Sequence, residues 1–357
     1  MRFVVALVVL AGTPVWAVKS LGAPPGHAGG YFEVQGMFVN AQGTAVASAS
    51  SSLDPGANLA FVWQNGKKTA LTYRSVREIE PVAIDSVGDV IGSAGKTAVL
   101  WRKGVPSALG SFQPNAMSDN GAFVVGVRNT ERGSDAVLWR EGSLTELRGL
   151  GGPQTSAAAV NRYGVVVGSS MLRSAVYRAV VWHRGKPTDL GSVHGLDSYA
   201  TLITPSGTIF GYASYGAAGP TVVLEWKSGQ LIDLGRFGAA GAQPVAVNAQ
   251  GNALVQTVQS DGTPVGLRLL RGNETIQITV PALGHQSLYG VGLDDEDDVG
   301  GYGAATLRGF LWRDSHATLL PAGYQPEFAG PNAVAGGWII ASNLSGIGVA
   351  ALFRLHH

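Results

Sequence analysis

The chain has 357 residues, with 25 lysines and arginines against 24 aspartates and glutamates, and charged residues make up only 14% of it. A formal net charge of +1 provides no basic excess to bind phosphate groups, so nucleic acid is not an expected partner. Cysteine is absent, which excludes disulfides, thiolate nucleophiles and cysteine-ligated metal clusters.

The N-terminal segment has the pattern of an export signal. Met1 and Arg2 precede the apolar run FVVALVVLAG, and TPVWA follows with small residues at Val15 and Ala17. The apolar run is shorter than the ~20 residues that a membrane-spanning helix needs, and no later stretch reaches that length. We therefore predict a signal peptide over residues 1–17, cleaved after Ala17. The mature chain is expected to be secreted or periplasmic, without a membrane span.

A short phrase containing tryptophan recurs along the chain. AVLWRKG at 98–104 returns as AVLWREG at 136–142, and AFVWQNG, AVVWHRG, VVLEWKSG and GFLWRDS are further copies. In two more copies, Leu269 and Phe353 stand at the tryptophan position. The recurrence predicts eight structural units. Six of the eight tryptophans share the repeat position: Trp63, Trp101, Trp139, Trp182, Trp226 and Trp312.

Each unit reads as four short strands, which we call a, b, c and d. VAID, DVIGS, TAVLW and SALG are β-branched or aromatic runs bounded by turn residues, and an Asn or Asp shortly before a glycine suits a tight turn between strands a and b. Units of 40–45 residues with four strands are typical of propeller blades. We predict an all-β fold with one domain over residues 18–357, a β-propeller of eight four-stranded blades, with seven as the alternative.

The order AVLWxxG, DLGxxGG and SxAxxVNxxGxVVGxS resembles the HAF-type extracellular repeat family of bacteria. Residues 136–170 carry nearly the full pattern, although Asp135, Ala136 and Val137 stand where the naming His-Ala-Phe residues would be. The resemblance extends over nearly the whole mature chain. It implies an exported repeat protein and assigns no activity.

The repeated tryptophans and the two chain ends carry structural expectations. The tryptophan at the end of strand c, present in six of the eight units, is expected to fill the gap between neighbouring blades. The last unit stops at His357 without its DLG strand, whereas SLG at 20–22 matches that strand. We therefore predict that residues 18–23 form the outermost strand of the last blade, antiparallel to the strand around Leu352, and close the ring.

The connections b–c and d–a share one face of a propeller, and the b–c connections here vary widely in length. Variable loops on a rigid scaffold usually carry binding residues. We call this side the variable-loop face and predict that it binds a polysaccharide or a protein, unless its tyrosines merely cover blade edges. The candidate residues are Arg173, Tyr177, His194, Tyr199, Tyr212, Tyr215, His285, Gln286, Tyr289, Tyr302 and Tyr324.

The segment LDDEDDVGG at 293–301 is the one candidate metal site. Carboxylates at this density can bind calcium, although the spacing is not that of an EF-hand and a solvated acidic turn is the alternative. No other cofactor is expected. The candidate calcium ligands are Asp294, Asp295, Asp297 and Asp298.

No catalytic residue can be assigned from motifs. The sequence has no H-E-x-x-H zinc pattern, no G-x-S-x-G elbow and no phosphate-binding loop. The predicted function is therefore an exported, monomeric binding propeller. The alternatives are an enzyme acting on extracellular glycans, with carboxylates at the central channel, and a structural cell-surface repeat protein.

Overall fold

The computed structural model describes residues 16–26, 33–51, 54, 56–215, 219–325, 333–343 and 349–355. These residues form 33 strands and a single 3-10 turn, Pro281–Leu283. None of the helical structure in the described residues has the length and apolar character needed to cross a membrane. The strands pair into eight antiparallel sheets, each containing four strands in sequence order except the last.

The first four blades follow one another along the chain. Their strands, in the order a to d, are β2 Glu33–Val39, β3 Ala45–Ser50, β4 Asn58–Gln64 and β5 Lys67–Leu71 in blade 1; β6 Ile79–Ile84, β7 Val90–Ala94, β8 Thr97–Arg102 and β9 Val105–Gly110 in blade 2; β10 Gln113–Met117, β11 Phe123–Thr130, β12 Gly133–Arg140 and β13 Ser143–Leu147 in blade 3; and β14 Thr155–Val160, β15 Val166–Met171, β16 Tyr177–His183 and β17 Lys186–Asp189 in blade 4.

The last four blades complete the ring. Their strands are β18 Asp197–Ile203, β19 Ile209–Ser214, β20 Thr221–Lys227 and β21 Gln230–Gly235 in blade 5; β22 Gly241–Val247, β23 Ala253–Val258, β24 Pro264–Arg271 and β25 Glu274–Ile278 in blade 6; β26 Leu288–Leu293, β27 Val299–Gly303, β28 Gly309–Arg313 and β29 His316–Leu319 in blade 7; and β30 Tyr324–Gln325, β31 Val334–Ala335, β32 Trp338–Asn343, β33 Val349–Leu355 and β1 Trp16–Ser20 in blade 8. The fold is an eight-bladed β-propeller, as predicted, and the seven-bladed alternative is wrong.

The turn between strands a and b is built by one polar side chain. In blade 4, the Asn161 Oδ1 accepts hydrogen bonds from the backbone N–H groups of Tyr163 and Val165, each at 3.1 Å. Gly164 follows with φ of 75°, a conformation that glycine adopts without strain. The Asn–x–x–Gly spacing seen in the sequence is therefore a side-chain-capped turn.

Strand a carries a feature that the sequence did not predict. In seven blades one residue of strand a is left out of the pairing with strand b, which makes a β-bulge six residues before the turn glycine or its equivalent. A bulge increases the local twist of a strand, and its repetition gives the innermost strands a shared shape. The bulged residues are Met37, Val82, Asn115, Ala158, Thr201, Val245 and Val291.

The repeated tryptophans lie between blades, as predicted. Trp101 and Trp182 are fully buried, and their side chains pack with residues of the preceding blade. Each indole N–H also donates a 2.8 Å hydrogen bond to a carbonyl that follows strand d of that blade, Thr72 O or Arg148 O. Each tryptophan therefore fills the gap and also bonds the two blades together.

The ring is closed by its N-terminal strand. β1 pairs antiparallel with β33, with Val18 opposite Phe353 and Lys19 opposite Leu352, which confirms the predicted closure. The predicted boundaries, 18–23, need correction, because the strand begins at Trp16 and ends at Ser20. The Trp16 indole adds a 3.0 Å hydrogen bond to Leu319 O in blade 7, across a separation of 303 residues.

Candidate functional site

Three of the predicted binding residues form one stack of aromatic rings on the variable-loop face. Tyr199 and Tyr212 are directly paired across β18 and β19, and their ring centroids lie 5.1 Å apart at 28° between planes. Tyr177, at the start of β16 in blade 4, stacks on Tyr199 at 5.6 Å and 30°. The stack thus joins blades 4 and 5, and we call it the tyrosine stack.

The tyrosine stack borders a cleft between blades 5 and 6. The cleft has a volume of about 420 Å³, and we call it the tyrosine cleft. Its wall on the side of blade 6 includes the start of β22 and the b–c hairpin at 258–262. Besides Tyr199 and Tyr212 it is lined by Ser214, Gly219, Pro220, Thr221, Gly241, Gln243, Val258, Gln259, Ser260, Asp261 and Gly262.

One hydroxyl in the cleft has no hydrogen-bond partner. Thr221 is only 7% exposed, and its Oγ1 is buried and unpaired among the described residues. A side chain at position 241 would meet this oxygen at 3.1 Å, so Gly241 leaves the space beside it open. Buried hydroxyls are usually hydrogen-bonded, so a ligand group that reaches the Thr221 Oγ1 would supply the partner that this oxygen lacks among the described residues.

The phenol groups of Tyr199 and Tyr212 remain neutral over the physiological pH range. Burial raises the pKa of Tyr199 to about 12, and the nearby Asp197 carboxylate adds to the shift. Burial also raises the pKa of Tyr212. Both hydroxyls therefore remain hydrogen-bond donors beside apolar ring faces, a combination that suits sugar rings. At the rim, a hydrogen bond from the Thr263 backbone lowers the pKa of Asp261, which keeps that carboxylate charged.

A second tyrosine pair occupies the same repeat positions in blade 7. Tyr289 and Tyr302 are paired across β26 and β27, and their rings stack at 4.8 Å with 3° between planes. Tyr302 is only 4% exposed and packs in the core near blade 8. The ring of Tyr302 therefore fills the gap between blades, and its binding role stays a prediction.

The other predicted binding residues are dispersed around the ring. Gln286 accepts hydrogen bonds from the Ala305 and Thr306 N–H groups and so braces the b–c loop of blade 7. The remaining residues include Arg173 beside Gly151, exposed His194 at 3.8 Å from Asp233, exposed Tyr215 and His285, and Tyr324 edge-on to Phe353. Of these residues, the structure places Tyr215 beside the tyrosine cleft, where its backbone N–H donates a 3.4 Å hydrogen bond to the carbonyl of Pro220, a lining residue. It does not bring the others to the cleft.

The candidate calcium ligands face different partners. Asp294 Oδ2 accepts a 3.0 Å hydrogen bond from Gly337 N–H of blade 8, and Asp295 Oδ1 accepts one of 2.8 Å from Ala249 N–H of blade 6. Burial raises the pKa of Asp294. These two carboxylates therefore fasten the turn to the blades on either side of it.

Arginines neutralise the charge of the other two carboxylates of this turn. Asp297 lies 2.8 Å from Arg271, and Asp298, which is fully buried, forms a two-point ion pair with Arg313. Burial raises the pKa of Asp298, while the Arg313 pair opposes that shift. Ligand atoms of Asp294, Glu296 and Asp298 lie within 4.8 Å of one another, so among the described residues these three could share a cation. The predicted set of four ligands stays a prediction.

The central channel forms a larger cavity of about 800 Å³. Strand a lines it with small or apolar side chains such as Ala83, Val160 and Val247. Charged groups lie at its mouth beside the a–b turns. Asp119 and Arg162 form an ion pair at 2.7 Å, and three acidic residues line the mouth at blade 7, Asp294, Asp295 and Glu296.

Sequence reasoning missed several residues of the cleft. Thr221, Gln243 and the hairpin 258–262 were not singled out, because their importance arises from the meeting of blades 5 and 6. The spacing of Gln243 offered a signal, since it stands at the repeat position that Tyr199 holds in the preceding blade. Thr221 carried no comparable signal, because an unpaired hydroxyl is a property of the packed structure.

Comparisons with known proteins identify the fold. No known protein-family profile matches the chain, and no curated protein is significantly similar in sequence. The structure resembles a prolyl endopeptidase with a TM-score of 0.56 and 12% identity, covering 92% of this chain and 55% of the enzyme. It resembles the β-propeller domain of the Trilobed protease from Pyrococcus furiosus with a TM-score of 0.56 and 11% identity, covering 84% of this chain and 98% of that domain.

A further similar structure is the acylaminoacyl peptidase of Pyrococcus horikoshii, with a TM-score of 0.53 and 12% identity. The match covers 82% of this chain and 52% of that peptidase, so this chain spans about half the length of the two peptidases. At these identities the likeness shows the propeller fold alone. The propeller domains of peptidases are therefore its structural neighbours.

Proposed function

We propose that this protein is an exported binding propeller that recognises a polysaccharide through the tyrosine cleft of its variable-loop face. The observation that carries the proposal is the stack of Tyr177, Tyr199 and Tyr212 beside the unpaired Thr221 hydroxyl. Stacked rings give apolar contact to the flat face of a sugar, and a buried hydroxyl gives a directed hydrogen bond. A cleft of about 420 Å³ has room for a short stretch of glycan chain.

The proposal is tested by measuring binding of the protein to a panel of bacterial and plant glycans, with and without EDTA. Tyr212→Ala is expected to weaken binding about tenfold, because a good aromatic contact contributes up to ~1.5 kcal/mol beyond area burial. The matched control is Tyr163→Ala, since Tyr163 is 73% exposed on the opposite face, in the a–b turn of blade 4.

Two results contradict the proposal. If no glycan binds and pull-down recovers a specific protein, the ligand is a protein. If a glycan binds equally well to the parent and to Tyr212→Ala, the binding surface lies elsewhere on the propeller.

A glycan hydrolase or lyase is the second candidate, favoured by the acidic residues at the channel mouth. Asp295 and Glu296 are exposed there and could provide an acid and a base. Incubation of bound glycans followed by analysis for shortened or unsaturated products tests this candidate. Loss of products in Glu296→Gln, with binding retained, would support it, whereas unchanged glycans would exclude it.

A further inference from the structure

Arg268 is a cation without a carboxylate partner. It lies in β24 of blade 6, and among the described residues its one side-chain hydrogen bond joins its guanidinium to the carbonyl of the preceding residue, Leu267, at 3.1 Å. Among the described residues no acidic side chain forms an ion pair with it. A guanidinium has five N–H donors, so most of the donors of Arg268 have no acceptor in the part of the chain that the structure describes.

The surroundings of Arg268 increase its preference for an anion. The side chain is half-buried, and burial lowers its pKa. Arginine remains charged even so, because its ordinary pKa is above 12. A partly desolvated, unpaired guanidinium gains most from an ionised oxygen acid that can accept two parallel hydrogen bonds.

Arg268 lines a cavity that adjoins the tyrosine cleft. This second cavity, the arginine cavity, has a volume of about 470 Å³. Val258, Gln259 and Ser260 of the blade 6 hairpin line both cavities. A ligand that lies across this hairpin therefore reaches the tyrosine stack and Arg268 together. The arginine cavity is lined by Phe237, Gly238, Ala239, Ala240, Thr257, Val258, Gln259, Ser260, Val265 and Arg268.

The charges around the arginine cavity are favourable to an anion. None of its described lining residues is acidic. A second cation, the exposed Arg236, hydrogen-bonds at 3.4 Å to the carbonyl of Ala240, which lines the cavity. The one acid of the hairpin, Asp261, lines the tyrosine cleft on its other side.

We propose that the ligand is an anionic glycan whose carboxylate or sulfate group binds Arg268 while a neighbouring sugar ring contacts the tyrosine stack. This inference rests on the proposed function and narrows the ligand to one class, anionic glycans. It assigns Arg268 as the specificity residue of the site, because a neutral glycan would leave the desolvated guanidinium unpaired.

The test compares glycans that differ only in charge. Polygalacturonate and its fully methyl-esterified form supply the carboxylate arm, and dextran sulfate and dextran supply the sulfate arm. The parent protein is expected to bind at least one charged chain about tenfold more tightly than its neutral counterpart, since hydrogen bonds to charged groups are among the strongest that proteins make. Added salt should reduce that preference.

Variants assign the preference to one side chain. Arg268→Gln is expected to lose the preference for the charged chain and to retain the affinity for the neutral one, and Arg268→Lys should keep part of the preference. Lys186→Gln is the matched control, because it removes a positive charge from the exposed start of β17 in blade 4. Thermal melting of each variant shows whether the fold is intact. The comparison of charged and neutral glycans on the parent protein remains valid even where a variant does not fold.

Each outcome decides between the proposals. The proposal of an anionic glycan is overturned if the parent binds charged and neutral glycans equally, or if folded Arg268→Gln keeps the parent's preference for the charged chain. Either result leaves the proposal of glycan binding in place. Binding of no glycan of either kind overturns both proposals. If polyglutamate binds instead, and binding requires Arg268, the partner is an acidic protein segment.

Discussion

The indole of Trp16 lies edge-on to the ring of Phe353, with centroids 6.0 Å apart and planes at 87°. In blades 2 and 4, one tryptophan on strand c fills the gap between blades and donates a hydrogen bond to the preceding blade. In blade 8 these two roles are divided. Phe353, fully buried, fills the gap, and Trp16 on the neighbouring strand donates to Leu319 O. The N-terminal strand therefore supplies the group that the last repeat lacks.

Trp16→Ala is expected to lower the free energy of unfolding by about 2–4 kcal/mol, because it removes both a half-buried aromatic contact and the hydrogen bond to Leu319. Chemical denaturation of parent and variant measures the loss. Val18→Ala on the same strand is the control, since Val18 is 49% exposed and its loss should change stability by less than ~0.5 kcal/mol. Equal losses in the two variants would contradict this role of Trp16.

The position of the N-terminus should itself change stability. Cleavage after Ala17, which stays a prediction, would remove Trp16 and leave only Val18–Ser20 of the strand to pair with β33. A chain that starts at Val18 is expected to melt below one that starts at Trp16. A chain that also lacks residues 18–24 should melt many degrees lower still, because β33 would lose its outer partner. Three chains that melt together would show that the ring closes without β1.

Asp85→Asn is expected to stabilise the protein by about 1 kcal/mol at neutral pH. Asp85 Oδ1 accepts three backbone N–H groups of its turn, but its buried Oδ2 has no partner among the described residues. At the same position of blade 1, the amide of Asn40 instead donates a 3.0 Å hydrogen bond to the next turn, at Asp85 O. An amide at position 85 has the same opportunity toward blade 3.

The stabilisation expected from Asp85→Asn should depend on pH. Burial raises the pKa of Asp85 above its unfolded value of about 3.9. The stability that the protonated carboxyl contributes is therefore complete below pH ~3.9 and is lost as the pH rises through the folded pKa. Melting curves should show the advantage of Asp85→Asn growing with pH. Asp294→Asn is the control and should destabilise, because Asp294 Oδ2 already accepts a hydrogen bond from Gly337 N–H.

The tyrosine stack predicts a loss of stability at alkaline pH. The folded pKa of Tyr199 is about 12 and that of the unfolded phenol about 10. The contribution of the neutral phenol is therefore complete below pH ~10 and is lost as the pH rises toward 12. Tyr199→Phe should lose less stability than the parent over this interval, as measured by urea denaturation at each pH. Parallel curves would show that the stack is not buried in solution.

Arg313→Gln is expected to destabilise the protein by about 3–5 kcal/mol, because it leaves the fully buried carboxylate of Asp298 without its counter-charge. Millimolar calcium should restore part of the melting temperature of this variant, since the oxygens of Asp294, Glu296 and Asp298 lie close enough to share an ion. The parent, whose arginine already serves as the counter-charge, should not respond. A rise in the parent's melting temperature would support the calcium site considered from the sequence.

Much of the fold was predictable, because the features that determine it recur in the chain. A tryptophan such as Trp182 and a turn glycine such as Gly164 mark strand ends in most units, and eight units give eight blades. The closing strand could be predicted from the SLG triplet at 20–22. Its start at Trp16 could not, because that depends on a carbonyl of blade 7 that only the folded ring brings near.

The bulges and the binding cleft were less predictable, for different reasons. The bulged positions hold residues as unlike as Met37, Asn115 and Thr201, so no residue type marks them. In the cleft, Tyr199 and Tyr212 were predictable as aromatic residues near variable loops, whereas the unpaired state of Arg268 was not. Whether a side chain lacks a partner depends on all of its neighbours in space, and these are known only from the folded structure.

The closing strand also constrains the order in which the molecule can be completed. Trp16 is synthesised 303 residues ahead of the carbonyl to which it bonds, and β33 follows later still. While seven blades assemble in turn, β1 remains without its partner, and the two ends of the nascent ring expose unpaired strand edges. Closure therefore requires β33, so a ribosome or a membrane pore that delivers the N-terminus first must deliver residues 349–355 before the ring can close.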